Sequence, residues 1–305
     1  MMNRSKILVT GANGQLGKEL RQLCGVYPQF EFIFLSKDDL PVNNFELLRN
    51  TFKIYHPQFC INCAAYTDVD RAESEKDLAF IVNGEAAGVL AAICTEYDTK
   101  FIHISTDYVF DGMATIPYKE ESPANPATIY GISKLKGEEQ AFQLNPDTII
   151  LRTSWVYSEF GKNFVKTILK LLHEKEEINV VNDQVGSPTY ALDLADTILK
   201  IIAGSQPSTA NYKPGIYHFS NEGVISWYDF AIAIKELSGA KCKINPIPTS
   251  QYPTPAKRPA YSVLDKTKIQ QTFGIKLKDW KESLAVCLNK INKYSASFQT
   301  RRSSG

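Results

Sequence analysis

The sequence predicts an α/β protein, a doubly wound parallel sheet carrying a smaller α/β cap. Three observations predict it. Short apolar runs alternate with helical stretches as far as residue 153, a glycine-spaced turn follows the first apolar run, and the regularity loosens after Arg152. Strand–helix alternation of this kind places parallel strands side by side with helices on both faces.

The elements read in order as strands over 6–10, 31–35, 59–62, 101–105 and 148–152, with helices over 15–24, 45–55, 79–97 and 132–142 between them. In such a sheet ligands bind beyond the carboxyl ends of the strands, where strand order reverses. Thr10 and the segments 62–66, 105–108 and 153–155 all fall at strand ends, so four segments converge on one crevice. Further on come a helix over 164–173, a strand over 178–181, a turn over 184–189, a helix over 193–202, a strand over 215–219, a helix over 227–237 and a proline-rich stretch over 246–259. This interleaving predicts a discontinuous division: residues 1–153 with about 186–220 for a dinucleotide, about 154–185 with 221–292 for a substrate, and a disordered tail over 293–305. No internal repeat is present.

The 305 residues are 44% hydrophobic and 22% charged, with 34 basic against 33 acidic side chains and a net charge of +1. That balance gives no footprint for nucleic acid, while a local basic pocket for a phosphorylated ligand fits it. The first residues run straight into the apolar strand, without a long apolar stretch or a small-residue cleavage site, so a cytoplasmic protein with no membrane partner is expected. Six scattered cysteines do not form a disulfide framework. Cys60 and Cys63 have ligand spacing, but strand alternation sends them to opposite faces, which favours a buried structural role. The four histidines are far apart and receive no chemistry.

Gly11, Gly14 and Gly17 follow a strand and open a helix, so the backbone can turn sharply and present N–H groups to a pyrophosphate at the positive helix end. The second strand ends on Ser36-Lys37-Asp38-Asp39, which offers an acid for a ribose hydroxyl and a base for a 2′-phosphate, leaving NADH and NADPH both open. Small residues over 62–66 suit a strand end passing under a cofactor.

Tyr130 and Lys134 stand four apart and share a helix face. Hydride transfer to a ketone builds charge on its oxygen, which a proton donor must meet. An unperturbed phenol titrates near about 10, and an ammonium beside it would favour the phenolate while its other donors bind a ribose. At the end of the fourth strand, Ser105-Thr106-Asp107 places a hydroxyl opposite the tyrosine.

Seven ordered motifs carry a resemblance. They are Thr-Gly-Ala-Asn-Gly-Gln-Leu-Gly at 10–17, Asn-Cys-Ala-Ala-Tyr-Thr-Asp-Val-Asp-Arg-Ala-Glu at 62–73, Ser-Thr-Asp-Tyr-Val-Phe-Asp-Gly at 105–112, Tyr-Gly-Ile-Ser-Lys at 130–134, Arg-Thr-Ser-Trp-Val-Tyr at 152–157, Asn-Asp-Gln-Val-Gly-Ser-Pro-Thr at 182–189 and Lys-Arg-Pro at 257–259. From residue 6 to about 291 the chain resembles the extended short-chain dehydrogenase/reductase superfamily, within it the dTDP-4-dehydrorhamnose reductase family.

The resemblance implies a Rossmann sheet and an NADPH- or NADH-dependent oxidoreductase that reduces a dTDP-linked 4-keto-6-deoxyhexose in dTDP-rhamnose and cell-wall polysaccharide synthesis. It implies Thr106, Tyr130 and Lys134 as the catalytic trio, with Thr106, Asp107, Trp155 and Arg258 toward the substrate. Arg258 would pair with the diphosphate, since a guanidinium matches phosphate bidentately. Gly11, Asn13, Gly14, Gln15, Leu16, Gly17, Ala64, Ala65, Tyr66 and Asn83, with Tyr130 and Lys134, would hold the cofactor. Where many members carry Asp-Ile-Thr-Asp, this chain reads Leu40-Pro41-Val42-Asn43-Asn44, so Asp39 is not carried over. No acidic set for a metal is seen and none is expected; a homodimer stays open. The residues also leave open a reductase or epimerase of another nucleotide sugar, and a non-catalytic subunit like that regulating methionine adenosyltransferase.

Overall fold

The computed structural model describes residues 4–205 and 211–302. In chain order the first half runs β1 Ser5–Thr10, α1 Gln15–Leu23, β2 Phe30–Phe34, α2 Phe45–Tyr55, β3 Phe59–Asn62, α3 Val69–Ala72, α4 Lys76–Phe80, α5 Ala86–Glu96, β4 Lys100–Thr106, α6 Ile129–Leu144 and β5 Ile149–Thr153. The second half runs β6 Val156–Tyr157, α7 Phe164–Glu174, β7 Glu177–Val181, β8 Val185–Gly186, β9 Thr189–Tyr190, α8 Ala191–Gly204, β10 Gly215–Phe219, β11 Ile225–Ser226, α9 Trp227–Ser238, β12 Lys243–Ile247, α10 Thr267–Phe273 and α11 Trp280–Arg302.

Six strands pair in parallel in the order β10-β5-β4-β3-β1-β2, so strand order reverses between β1 and β3. That reversal opens the crevice in which a doubly wound sheet binds ligands. One apolar cluster joins Ile7, Val9, Ile61 and Ile102 on the sheet to Leu20 of α1 and Ile198 of α8. On the other face Leu8, Cys60 and Phe101 meet Leu48 of α2 and Leu90 of α5. A strand buried on both sides reads as a continuous apolar run, as Ile7-Leu8-Val9 does.

A separate cluster lies outside this sheet, where Val165 and Ile168 of α7, Phe230 and Ile234 of α9, Ile244 of β12 and Leu284 of α11 pack together. There β12 pairs in parallel with β7, and β11 antiparallel with β8. Cys60 and Cys63 do face opposite sides of the sheet, each within an apolar cluster.

Two helical stretches differ from their sequence expectation in ways that bear on the site. The one expected over 79–97 starts at Lys76 and carries a π-turn at Ile81–Glu85, which swings Asn83 and Gly84 inward. Such turns recur at functional sites because they re-aim one residue without ending the helix. The helix expected over 132–142 begins at Ile129, where the Thr128 side chain accepts from Gly131 N–H, so Tyr130 lies inside it. At the far end α11 continues to Arg302, within the tail expected to be disordered from 293; no Gly or Pro interrupts 280–302. Residues 303–305 lie outside the described residues.

Candidate active site

Strand ends β1, β3, β4 and β5 open on three cavities with shared walls. The first, about 430 Å³, is lined by Gly11, Asn13 and Gly14 of the glycine turn, by Lys37 and Asn43, and by Ala64, Ala65, Tyr66 and Arg71. The second, about 590 Å³, shares Gly14, Ala64 and Ala65 with it and adds Gln15, Leu16, Thr106, Asp107, Tyr130, Lys134 and Trp155. The third, about 340 Å³, shares Tyr108 and Trp155 with the second and adds Asp70, Phe164, Gln184, Trp227, Tyr252 and Arg258. The three form one cleft from the glycine turn to Arg258.

The glycine turn has the form an anion needs. Gly11 sits at φ +63°, and a Cβ there would lie 2.7 Å from Ala64 N, so only glycine lets β1 and β3 end this close. Gly14 is the N-cap of α1 and has no side chain to cap its N–H groups, which leaves them for a ligand. Gly17 lies behind, where a Cβ would stand 2.6 Å from Ala12 Cα; it packs the helix on the turn. Asp39 is turned away: its Oδ2 accepts from Ser36 N (2.9 Å) and Ser36 Oγ (2.7 Å), and these bonds hold its carboxyl below the usual range.

Asn83 supports this floor from beneath. It is 1% exposed; its Oδ1 accepts from Tyr66 N at 2.8 Å, and its Nδ2 donates to Tyr66 O and Ser133 Oγ, each at 3.0 Å. The π-turn therefore fixes the backbone of Tyr66 and ties it to α6.

At the centre, burial pushes the Tyr130 phenol up, opposed by the Thr106 hydroxyl beside it. The phenol stays a proton donor. Thr106 Oγ1 donates to Asp107 Oδ1 at 2.9 Å and accepts from Tyr108 N at 3.2 Å, closing the turn after β4. Burial raises the Asp107 carboxyl to about 6 against the Thr106 bond. Lys134 departs from its expected partnership with the phenol: its Nζ donates to Ile104 O at 2.6 Å and faces His103 Nε2 at 3.3 Å. Burial lowers its proton affinity to about 8, against the Glu138 carboxylate, which raises it.

In the third cavity the Trp155 and Trp227 rings stack, and Arg258 Nη2 meets Asp70 Oδ2 at 2.6 Å while Nη1 donates to Tyr108 Oη at 3.1 Å. The site thus gathers Thr106, Asp107, Tyr130, Lys134 and Trp155 around one cavity and sets Arg258 in the next. Sequence reasoning left Trp227 and His103 out of the site, and put Tyr108 at the crevice without a role. The one local signal was Ser226-Trp227-Tyr228-Asp229, a capping box that starts α9 with the indole at its mouth.

Residues 5–293 match the family model described as RmlD substrate binding domain. The chain belongs to this family. As a member it is 45% identical over 281 residues to the spore coat polysaccharide biosynthesis protein SpsK of Bacillus subtilis, covering 92% of this chain and 95% of that protein. It is 43% identical to a dTDP-4-dehydrorhamnose reductase of Aggregatibacter actinomycetemcomitans, over 92% of this chain and 97% of that one. The solved dTDP-4-dehydrorhamnose reductase of Bacillus anthracis, in complex with NADP, superposes with a TM-score of 0.89 at 36% identity, covering 94% of this chain and 100% of that one. RmlD-family membership and the parallel sheet agree with the resemblance carried by the seven motifs.

Proposed function

We propose that the protein reduces the 4-keto group of dTDP-4-dehydro-L-rhamnose with NADPH or NADH, giving dTDP-L-rhamnose. The observation that carries this reading is the placement of Tyr130 and Thr106 on one cavity wall, between the glycine turn and the Trp155/Arg258 end of one cleft. A dinucleotide fits the first two cavities: the uncapped start of α1 at Gly14 would hold its pyrophosphate, and Lys37, Asn43 and Tyr66 would hold its adenosine half. The reduced nicotinamide supplies the hydride.

Thr106 and Tyr130 do the rest of the chemistry at the carbonyl oxygen. As charge develops there, both hydroxyls donate to it, and Tyr130 gives up its proton to form the alcohol. Lys134, at the same cavity, favours the phenolate left behind. Trp155 and Trp227 offer a flat apolar face to the sugar nucleotide, and Arg258 a planar cation to its diphosphate. Residues 1–153 with about 186–220 serve the dinucleotide in this reading, and about 154–185 with 221–292 the sugar nucleotide. The joining of β10 to the large sheet and the separate α7/α9/α11 cluster support that division.

The test is to mix the protein with NADPH or NADH and dTDP-4-dehydro-L-rhamnose. Loss of the reduced-nicotinamide absorbance with formation of dTDP-L-rhamnose is expected. No oxidation with either cofactor would overturn the reading. Release of oxidised cofactor at every turnover separates a reductase from an epimerase, which keeps it.

A further inference from the structure

His103, left without chemistry by sequence spacing, belongs to a buried chain that ends at Lys134. Its ring is 1% exposed; Nδ1 lies 3.0 Å from Asn62 Nδ2, and Nε2 lies 3.3 Å from Lys134 Nζ. The orientation of Asn62 is fixed from the other side. Its Oδ1 lies 3.2 Å from Ala64 N, a backbone N–H that can only donate, and 2.7 Å from the Thr10 hydroxyl. The amide NH₂ therefore points at His103 and donates to Nδ1. A neutral imidazole accepting at Nδ1 carries its hydrogen on Nε2, and here that hydrogen is aimed at Lys134.

A donor in this place has a chemical consequence. An ammonium has three hydrogens and no lone pair, whereas the neutral amine can accept from His103 Nε2–H while still donating to Ile104 O. The groups facing Lys134 are His103 and the Ile104 carbonyl from β4, Glu138 one turn along α6, and Tyr130 across the cavity. Of these only Glu138 favours the charged form strongly, and its carboxylate is already held by Arg152, with Nε at 2.9 Å and Nη2 at 2.6 Å, and by Ser105.

We propose that His103 is a positioning residue of the reductase, which anchors Lys134 on the β4 edge and, by aiming a hydrogen at its Nζ, loosens the hold of Lys134 on its own proton. The effect on turnover rests on the proposed reductase activity; the position of the ring hydrogen does not.

The experiment therefore has two arms. In long-range ¹H–¹⁵N spectra of the full chain, with His103 assigned by its loss in His103→Gln, a hydrogen on Nε2 and a bare Nδ1 are expected throughout the neutral range. A hydrogen on Nδ1 would overturn the inference, whether or not any keto sugar is reduced. In steady-state kinetics, His103→Phe should move the alkaline limb of the kcat/KM profile up by about one pH unit, because Lys134 then keeps its proton longer. His103→Gln, which can still offer an N–H, should restore the limb. A purely structural role would lower kcat and leave the limb in place, and that result also overturns the inference.

Discussion

Trp155 lies flat against Trp227, ring centroids 3.6 Å apart and planes 11° from parallel, on the wall between the second and third cavities. Trp155 reaches this position from a left-handed backbone, φ 48°, and across Gly186, where a Cβ would meet the indole at 2.7 Å. Strain at one residue and a glycine at another thus hold a single aromatic surface. An aromatic pair contributes about 0.5–1.5 kcal/mol beyond its buried area. Trp155→Ala is expected to raise KM for the sugar nucleotide about tenfold with KM for the cofactor unchanged. Gly186→Ala, which pushes the indole aside, should act in the same direction. Equal KM values for wild type and both variants would remove the pair from the substrate site.

Tyr130 is half-buried and shares the wall of the second cavity with Thr106. If this phenol delivers the proton, Tyr130→Phe removes the donor without opening the cavity. Its kcat should fall by about 10²–10⁴-fold, while NADPH titrated against protein fluorescence should bind as before. Thr106→Val removes the partner hydroxyl and should lower kcat less, since one donor to the oxygen remains. Full turnover in Tyr130→Phe would place the proton source elsewhere.

Arg258 meets Asp70 at 2.6 Å, with both side chains partly exposed. A diphosphate entering the third cavity competes with that carboxylate for the guanidinium. The two substitutions should therefore act in opposite senses. Arg258→Ala should weaken sugar-nucleotide binding about tenfold or more and flatten its salt dependence. Asp70→Asn should tighten binding by a few-fold. Calorimetric titration with dTDP reads both; weakening in both variants would make the pair a structural clasp and not a phosphate site.

The large sheet was legible because its code is local: β1 to β5 are apolar runs ended by turn residues, and a parallel strand buried on both faces needs nothing else. The glycine turn, Thr106, Tyr130 and Lys134 were legible for the same reason, each at a strand end or one helical turn from its partner. What stayed hidden depends on distance along the chain. Arg258 finds Asp70 across 188 positions, and Asn62 finds His103 across 41, inside runs that read only as strand. The start of α6 was misplaced because Gly131, a poor helix former, sits in its first turn, where the Thr128 cap compensates. The π-turn at Ile81–Glu85 has no signature in an apolar helix, yet it is what aims Asn83.

Glu19 of α1 and Glu159 after β6 are two buried acids that the proposed chemistry does not use. Glu19 is fully buried, its Oε1 accepts from Ser158 Oγ at 2.7 Å, and the Glu159 carboxyl lies beside it. Glu159 takes Lys290 Nζ at 3.0 Å on one oxygen and the Tyr190 hydroxyl at 2.9 Å on the other. Two carboxylates in contact need a proton between them. Burial first, then the bond to Glu159, pushes Glu19 well above its ordinary 4.5, while Glu159, with Lys290 beside it, stays low, so the proton resides on Glu19. The sign for stability follows from where each state holds that proton. Below 4.5 folded and unfolded chains both hold it; above, the unfolded chain loses it first, so stability falls as pH rises until Glu19 itself ionises. Glu19→Gln removes the titration and keeps an N–H for Glu159. Urea unfolding should show the variant gaining on wild type by on the order of 2 kcal/mol between about pH 5 and about pH 8. A constant difference across that range would mean that Glu19 is ionised in the folded protein, and that Lys290 serves both carboxylates.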